Sequence, residues 1–215
     1  MNQIAFFDFD GTITKDDSLI KFTRFIKGDV KTIIGMLFLL PMLIAYKLRL
    51  IPNYKAKQIM LTYFFKGVNE KEFKKVANEY SLRHIDTILR LEAMKRIQWH
   101  KEQGHKVVIV SASIECWLKP WCKENNLELI ATKLKIKNGI VTGEILGKNC
   151  FGKEKVNRIK ERYALDKFQY IYAYGDSSGD LQMLELANES RYKPFRGQKN
   201  EHLHHRFKWL RRLTS

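Results

Sequence analysis

Cysteine is nearly missing from this chain. Cys116, Cys122 and Cys150 are an odd set of three without zinc-type pairing, so neither a disulfide framework nor a cysteine-built zinc site is expected. The first residues have neither the basic nor the apolar region of a secretory leader, and the expectation is a reducing, cytoplasmic setting. No Pro-rich, Ser-rich or repeated stretch marks a disordered tract or a solenoid. The apolar run IIGMLFLLPMLIAY, Ile33 to Tyr46, is fourteen residues long and is interrupted by Gly35 and Pro41, short of the roughly 20 residues of a membrane-spanning helix. Acidic residues are scarce in two stretches: residues 21–75 hold three against twelve Lys or Arg, and residues 191–215 hold one against eight. The net charge of +16 sits in those two stretches, which suits a phosphorylated substrate, a phospholipid surface or nucleic acid. A solvated basic surface without a partner is equally compatible. Nucleic acid is not expected, because no recognised binding module accompanies the charge.

What is present is an ordinary globular composition, 45% hydrophobic and 29% charged over 215 residues, enough for one substantial core with an insertion. QIAFFD, residues 3–8, is an apolar run ahead of Gly11 and reads as a buried strand entering a loop. Residues 18 to about 100 read as mostly helical, with stops at Gly28 and Gly104. KVVIV then reads as a strand ending at Ser111, followed by a helix through Trp117 and Trp121 and a strand in LELIAT. Asn138 and Gly139 suit a two-residue hairpin turn at a sheet edge. A helix over 154–163, a strand FQYIYAY ending at Gly175, a helix over 179–187 and a last strand in SRYKPF complete the order. The alternation predicts the α/β class: a doubly wound, Rossmann-like parallel sheet whose ligands bind beyond the C-terminal strand ends. Asp8, Ser111 and Asp176 fall at such ends.

Alternation along a strand lets Asp8 and Asp10 project to one side while Phe9 points to the other. An Asp-x-Asp pair alone also occurs in sugar-nucleotide transferases and surface turns; the string DFDGT after an apolar strand is far more specific. Asp176 and Asp180 are four apart, so a helix starting near Ser178 would hold Asp180 close beneath Asp176, and either could instead cap that helix. Ser111 could likewise cap the helix after it, and Asp17 the first helix of the insertion.

IAFFDFDGTIT, VIVSAS, GKEKV and YGDSSGD resemble, in order, the four motifs of the haloacid dehalogenase-like hydrolase superfamily, over essentially the whole chain. The branch resembled is subfamily IB, phosphoserine phosphatase-like with a helical C1 cap. The resemblance implies a core domain of residues 1–16 and 101–215 and a helical cap of residues 17–100. It implies Mg²⁺-dependent hydrolysis of phosphate monoesters through an aspartyl-phosphate on Asp8, with Asp10 as the acid and base. Asp8, Asp176 and the backbone carbonyl of Asp10 would hold the metal, with Asp180 orienting its shell; few carboxylates plus phosphate and water oxygens suit so hard a cation. Gly11, Thr12, Ser111 and Ala112 would bind the phosphate. Lys155, preferred over Lys153 because the branch reads Cys, Gly, then Lys followed by Val, would neutralise it. Asp17 stands nine residues after the nucleophile, where phosphoserine phosphatases carry a glutamate that contacts the substrate amine.

The cap arginine of those enzymes has no visible counterpart, so the substrate reads as a small phosphorylated metabolite such as phosphoserine, or a lipid phosphate. The run Ile33 to Tyr46 reads either as a pair of buried cap helices hinged near Pro41 or as an attachment to the inner face of a membrane. Lys21, Arg24, Lys27, Lys31, Lys47, Arg49, Lys55 and Lys57 would then meet anionic lipid. Phosphatidylglycerophosphatase belongs to the same subfamily, which makes a lipid phosphatase the second reading. A non-catalytic protein holding anionic lipid or nucleic acid is the third. In the tail, Leu203, Phe207 and Leu210 read as one face of a terminal helix; His202, His204 and His205 lack partners for a metal site.

Overall fold

The structure is a computed structural model describing residues 2–196; the expectations for the histidine-rich tail lie outside the described residues. Strand β1 (Gln3–Phe7) is central in a six-stranded sheet with β2 (Lys106–Ile114), β3 (Glu128–Lys137), β4 (Ile140–Leu146), β5 (Tyr170–Gly175) and β6 (Glu189–Tyr192). The order is β4-β3-β2-β1-β5-β6, parallel except for the antiparallel edge strand β4. That edge is the expected hairpin: Asn138 (φ 51°) and Gly139 (φ 72°) both take the left-handed conformation such a two-residue turn needs.

Both faces of the sheet are covered. Ala5 and Phe7 point into one hydrophobic cluster and Ile4 and Phe6 into the other, the period-two pattern of a central strand. Helices α8 (Lys153–Arg162) and α9 (Leu181–Leu184) cover the second face through Ile159, Met183 and Leu184. On the first face lie α6 (Leu91–Glu102) and α7 (Glu115–Glu124), and above them the other five α-helices between β1 and β2. These are α1 (Ser18–Lys27), α2 (Asp29–Phe38), α3 (Leu40–Lys47), α4 (Asn53–Phe65) and α5 (Glu70–Arg83). Phe22 of α1 stacks on Trp117 of α7 with ring centroids 4.7 Å apart and packs edge-on against Phe73 and Tyr80. The insertion and the sheet layer thus share one apolar cluster.

Three details differ from the sequence expectations. Strand β2 continues past Ser111 to Ile114 through a register shift, so Ser111 does not cap α7; Ile114 occupies that position. The helix expected over 179–187 contracts to Leu181–Leu184. The apolar run bends by 60° between α2 and α3, next to Pro41, yet the pair is not buried: α3 has no buried residue and α2 only Thr32 and Gly35. Among the described residues no single helix is long and apolar enough to cross a membrane.

Candidate active site

Asp8 follows β1 directly, and its N–H still donates to Tyr174 O at 2.9 Å, as though the strand went on. The backbone is extended at Asp8 and again at Asp10. Alternation therefore survives the end of pairing: Phe9 turns into the first-face cluster and packs edge-on against Trp121, leaving Asp8 and Asp10 on the other side. Gly11 then reverses the chain at φ 82°. A Cβ there would lie 2.4 Å from Asp176 Oδ2, so glycine is required both for conformation and for the close approach of that carboxylate. Thr12 Oγ1 lies 3.3 Å from Asp8 Oδ2 and 3.5 Å from Asp176 Oδ1.

Lys155, in the first turn of α8, points inward and is 1% exposed, whereas Lys153 is exposed. Its ammonium donates three hydrogen bonds: to Asp8 Oδ1 (2.6 Å), Asp180 Oδ1 (2.6 Å) and Val110 O (2.7 Å). Burial would strip its proton, but the two carboxylates outweigh burial and raise its pKa. Burial pushes Asp8 up to about 7, against the pull of Lys155 and with the negative charges of Asp180 and Asp10 adding to it. Asp180 is held below the ordinary carboxylate range: burial opposes this, but Lys155 and Ser177 prevail. Its Oδ2 accepts from Asp176 N (3.1 Å), Ser177 N (2.9 Å) and Ser177 Oγ (2.8 Å). Asp180 thereby fixes the loop that presents Asp176. Burial also raises Asp176, whose Oδ2 receives Arg196 at 2.6 Å.

Asp10 belongs to a separate network. It accepts from Ser18 N (2.7 Å), from Ser18 Oγ (3.2 Å) and from the Ser113 hydroxyl. The two serine hydroxyls are 2.9 Å apart, and Trp117 Nε1 donates to Ser18 Oγ at 3.3 Å. Burial and the charge of Asp17 push Asp10 up to about 6 against these hydrogen bonds. Ser111 is buried and its Oγ accepts from Ser113 N at 3.0 Å. Asp17 is exposed and caps α1, accepting from Leu19 N (2.9 Å) and Ile20 N (3.1 Å).

Lys57 is the residue that sequence reasoning misplaced. Grouped there with a lipid-facing basic surface, it instead reaches from α4 into the site, where its Nζ donates to Ala112 O at 2.9 Å. Burial lowers its pKa, opposed by Asp17 and Asp10. Ser18 and Ser113 were also missed. A single lysine or serine on a helix carries no local signature, and Lys57 is recognisable only from the i, i+4 spacing that puts it on the face of Asn53, which itself accepts from Asn149 Nδ2 at 2.7 Å. Beside this seam, between the start of α4 and the loop 147–152 with the first turn of α8, lies a cavity of about 570 Å³.

Ligand oxygens of Asp8, Asp176 and Asp180 lie within 4.8 Å of one another. An all-carboxylate set fits a hard dication such as Mg²⁺. Asp180 spends both oxygens on Lys155, Ser177 and the loop backbone, whereas one oxygen each of Asp8 and Asp176 has only a long contact to Thr12 Oγ1, at 3.3 and 3.5 Å, and is the better placed to face an ion; Arg196 supplies positive charge to the other oxygen of Asp176.

Strand-end carboxylates thus gather around a buried lysine on a doubly wound sheet. A sequence profile of the haloacid dehalogenase-like hydrolases matches residues 5–185, and the chain belongs to that family. Protein CicA of Caulobacter vibrioides is 35% identical over 193 residues, 89% of this chain and 86% of that one. A probable phosphatase of Mycobacterium tuberculosis is 29% identical over 208 residues, covering 92% and 71% of the two chains. Among solved structures, a protein of unknown function from Bordetella pertussis superposes with a TM-score of 0.77 at 24% identity over 88% of this chain and 89% of that one. A substrate-bound phosphoserine phosphatase superposes with a TM-score of 0.66 at 15% identity over 89% and 86%. The chain is thus an enzyme of the haloacid dehalogenase-like hydrolases with the fold of the phosphoserine phosphatases.

Proposed function

We propose that this enzyme is a Mg²⁺-dependent phosphomonoester hydrolase working through an aspartyl-phosphate on Asp8. The observation that carries this reading is the buried Asp8–Lys155–Asp180 chain, with Asp176 in reach of the same ion position. Asp8 Oδ attacks phosphorus, a P–O bond to Asp8 forms and the P–O bond to the substrate alcohol breaks. Asp10 gives its proton to the leaving oxygen, a task suited to a carboxyl held near 6. It then takes a proton from the water that attacks the acyl phosphate, releasing inorganic phosphate and restoring Asp8. Lys155 neutralises charge on the equatorial oxygens, and Gly11, Thr12, Ser111 and Ala112 line the phosphate. Asp8, Asp176 and the carbonyl of Asp10 would hold Mg²⁺, with Asp180 orienting the set, and the bound ion would supply charge relief between two anions.

Residues 17–100 act in this reading as the cap over a core of 1–16 and 101–215. Lys57 brings a cation and Asp17 an anion from the cap to the site mouth, which favours an alcohol carrying charge of its own. Phosphoserine has a matching amine and carboxylate; a lipid phosphate with an anionic headgroup engages Lys57 alone. A screen of phosphate esters, soluble and lipid, with and without Mg²⁺ tests the assignment. Turnover is expected to need Mg²⁺, to vanish with EDTA and to fall on the order of 10⁴-fold or more in Asp8→Asn, as when a covalent nucleophile is removed. A wild-type protein silent on every ester with Mg²⁺ present would favour the non-catalytic anion-binding reading.

A further inference from the structure

Helix α2 is built inside out. Its inward stripe is Thr32, Gly35 and Leu39, the last just past its end, spaced i, i+3, i+7, and all three are buried. A Cβ on Gly35 would lie 2.6 Å from the Phe64 ring, so the small residue lets α2 lie flat on α4. The large apolar side chains point away: Val30 is 71% exposed, Leu37 63% and Phe38 77%. The face continues around the bend through α3 to Leu48 and Leu50, 64% and 74% exposed. Ten of the seventeen exposed large hydrophobic residues in the described chain fall between Val30 and Leu50. Scattered exposed leucines are ordinary in soluble proteins, but a continuous patch of this kind marks an interaction surface.

Charge identifies the partner. No Asp or Glu occurs between Asp29 and Glu70, a stretch that holds six Lys or Arg. Lys21 and Arg24, which the sequence also offers to lipid, are neutralised by Asp16 and Asp29. Lys31, Lys47, Arg49 and Lys55 are exposed, and among the described residues none of them pairs with a carboxylate. Lys31 lies at i, i+3 and i+7 with Ile34 and Phe38, and Lys47 and Arg49 flank Leu48, so cations and apolar side chains share the surface. A second copy of the chain would bring this acid-free surface against itself and set like charges face to face.

The geometry points to the α2–α3 elbow as a membrane-docking surface that inserts its apolar bend shallowly into a bilayer carrying anionic phospholipid. Phe38, Leu37 and Leu40 at the bend enter the acyl boundary, and Lys31, Lys47, Arg49 and Lys55 meet headgroup phosphates. Leu39, Met42 and Leu43, packed inward, hold the elbow to the rest of the cap. Helix α4, which begins just beyond Pro52, runs from this surface to Lys57 at the site. Docking would therefore set the site mouth beside the headgroup layer.

The test is co-sedimentation of the full chain with phosphatidylcholine vesicles, plain or mixed with phosphatidylglycerol. Binding is expected to the mixed vesicles, weak to the plain ones, and to decline as salt rises. The double variant Leu37→Ser, Phe38→Ser should bind mixed vesicles about tenfold more weakly or worse, since two large apolar side chains no longer insert. Lys47→Glu with Arg49→Glu should erase the preference for phosphatidylglycerol. Melting temperatures should stay within about 2 °C of the wild-type value, which separates lost docking from lost folding, and the readout does not depend on phosphatase activity. Wild-type levels of binding by the Leu37→Ser, Phe38→Ser variant would overturn the proposal. So would a protein that ignores mixed vesicles and elutes as a dimer dispersed by the same two substitutions, for then a second copy covers the elbow.

Discussion

Helices α1 and α2 are both ten residues long and separated by Gly28 alone, yet they solve opposite problems. Helix α1 buries Leu19 and Phe22 and turns Lys21 and Arg24 outward, and its N-terminus supplies Ser18 to the Asp10 network. Helix α2 buries Thr32 and Gly35 and turns its leucine, isoleucines and phenylalanine outward. Around the site, the buried carboxylates and the lysine are matched by donors and acceptors from the same chain. On the elbow neither the apolar nor the cationic groups are matched among the described residues, and in the docking proposed for it a bilayer completes them. A self-sufficient interior carries the chemistry, and an incomplete surface decides where the chemistry takes place.

The comparison breaks first at Lys155. Its replacement by Met leaves Asp8 and Asp180 facing each other without the cation that joins them, and loss of one partner in a buried ion set costs about 3–5 kcal/mol. Urea denaturation in the presence of EDTA, which removes any compensating metal, should register that loss. Full stability in Lys155→Met would mean that the interior tolerates the two carboxylates without the cation between them.

Phe65 sharpens the contrast. Fully buried between Phe22 and Phe73, it should cost about 3 kcal/mol or more when cut to Ala. Leu37→Ser, Phe38→Ser removes as much apolar surface from the sequence but should change stability by only about 0.5 kcal/mol, in keeping with exposed positions. Denaturant midpoints of the two variants measure the difference. An elbow variant as unstable as Phe65→Ala would show that α2 and α3 pack inward after all.

The residues that converge at the candidate site were legible in the sequence because each lies in a local motif, at a strand end for Asp8 and Asp176 and in or beside a helix start for Lys155 and Asp180, so the four could be named without knowing the path between them. The parallel sheet was legible for the same reason, from the alternation of elements. Lys57, Ser18 and Ser113 were not, since each matters only through a partner brought close by packing: Ala112 for the first, Asp10 for the others. The elbow failed for a different physical reason. A run that is apolar at nearly every position has no phase, so composition cannot say which side faces inward. What sets the phase is the small stripe Thr32–Gly35 fitted against the rings of α4. The strand alternation that places Asp8 and Asp10 did have a phase, because Phe9 between them is apolar.

Acid tests how far the interior excludes protons. His100, fully buried in α6, lies with Nε2 3.0 Å from Tyr174 Oη and Nδ1 2.9 Å from His105 Nδ1. Arg96 Nε donates to the same tyrosine oxygen at 2.7 Å, an arrangement that suits a tyrosine hydroxyl donating to His100 Nε2 and a neutral His100 donating through Nδ1 to His105. A second proton, on Nε2, would compete with the tyrosine hydroxyl proton for that contact. Burial first, then the charges of Arg96 and His105, hold its pKa down to about 3. An unfolded chain takes up this proton near pH 6.5 and the folded one does not, so the stabilising term is complete above that pH and is lost as pH falls from 6.5 toward 3. Asp8 and Asp10 act in the opposite direction in metal-free protein, because their raised values let the folded state bind protons first between about pH 7 and pH 4. The wild-type profile is therefore a partial cancellation. The difference between wild type and His100→Gln isolates the histidine, since both proteins carry the same two aspartates. Plotted against pH from chemical denaturation, that difference should shrink on acidification with a slope of up to about 1.4 kcal/mol per pH unit. A difference independent of pH would mean that the interior admits this proton as readily as water does.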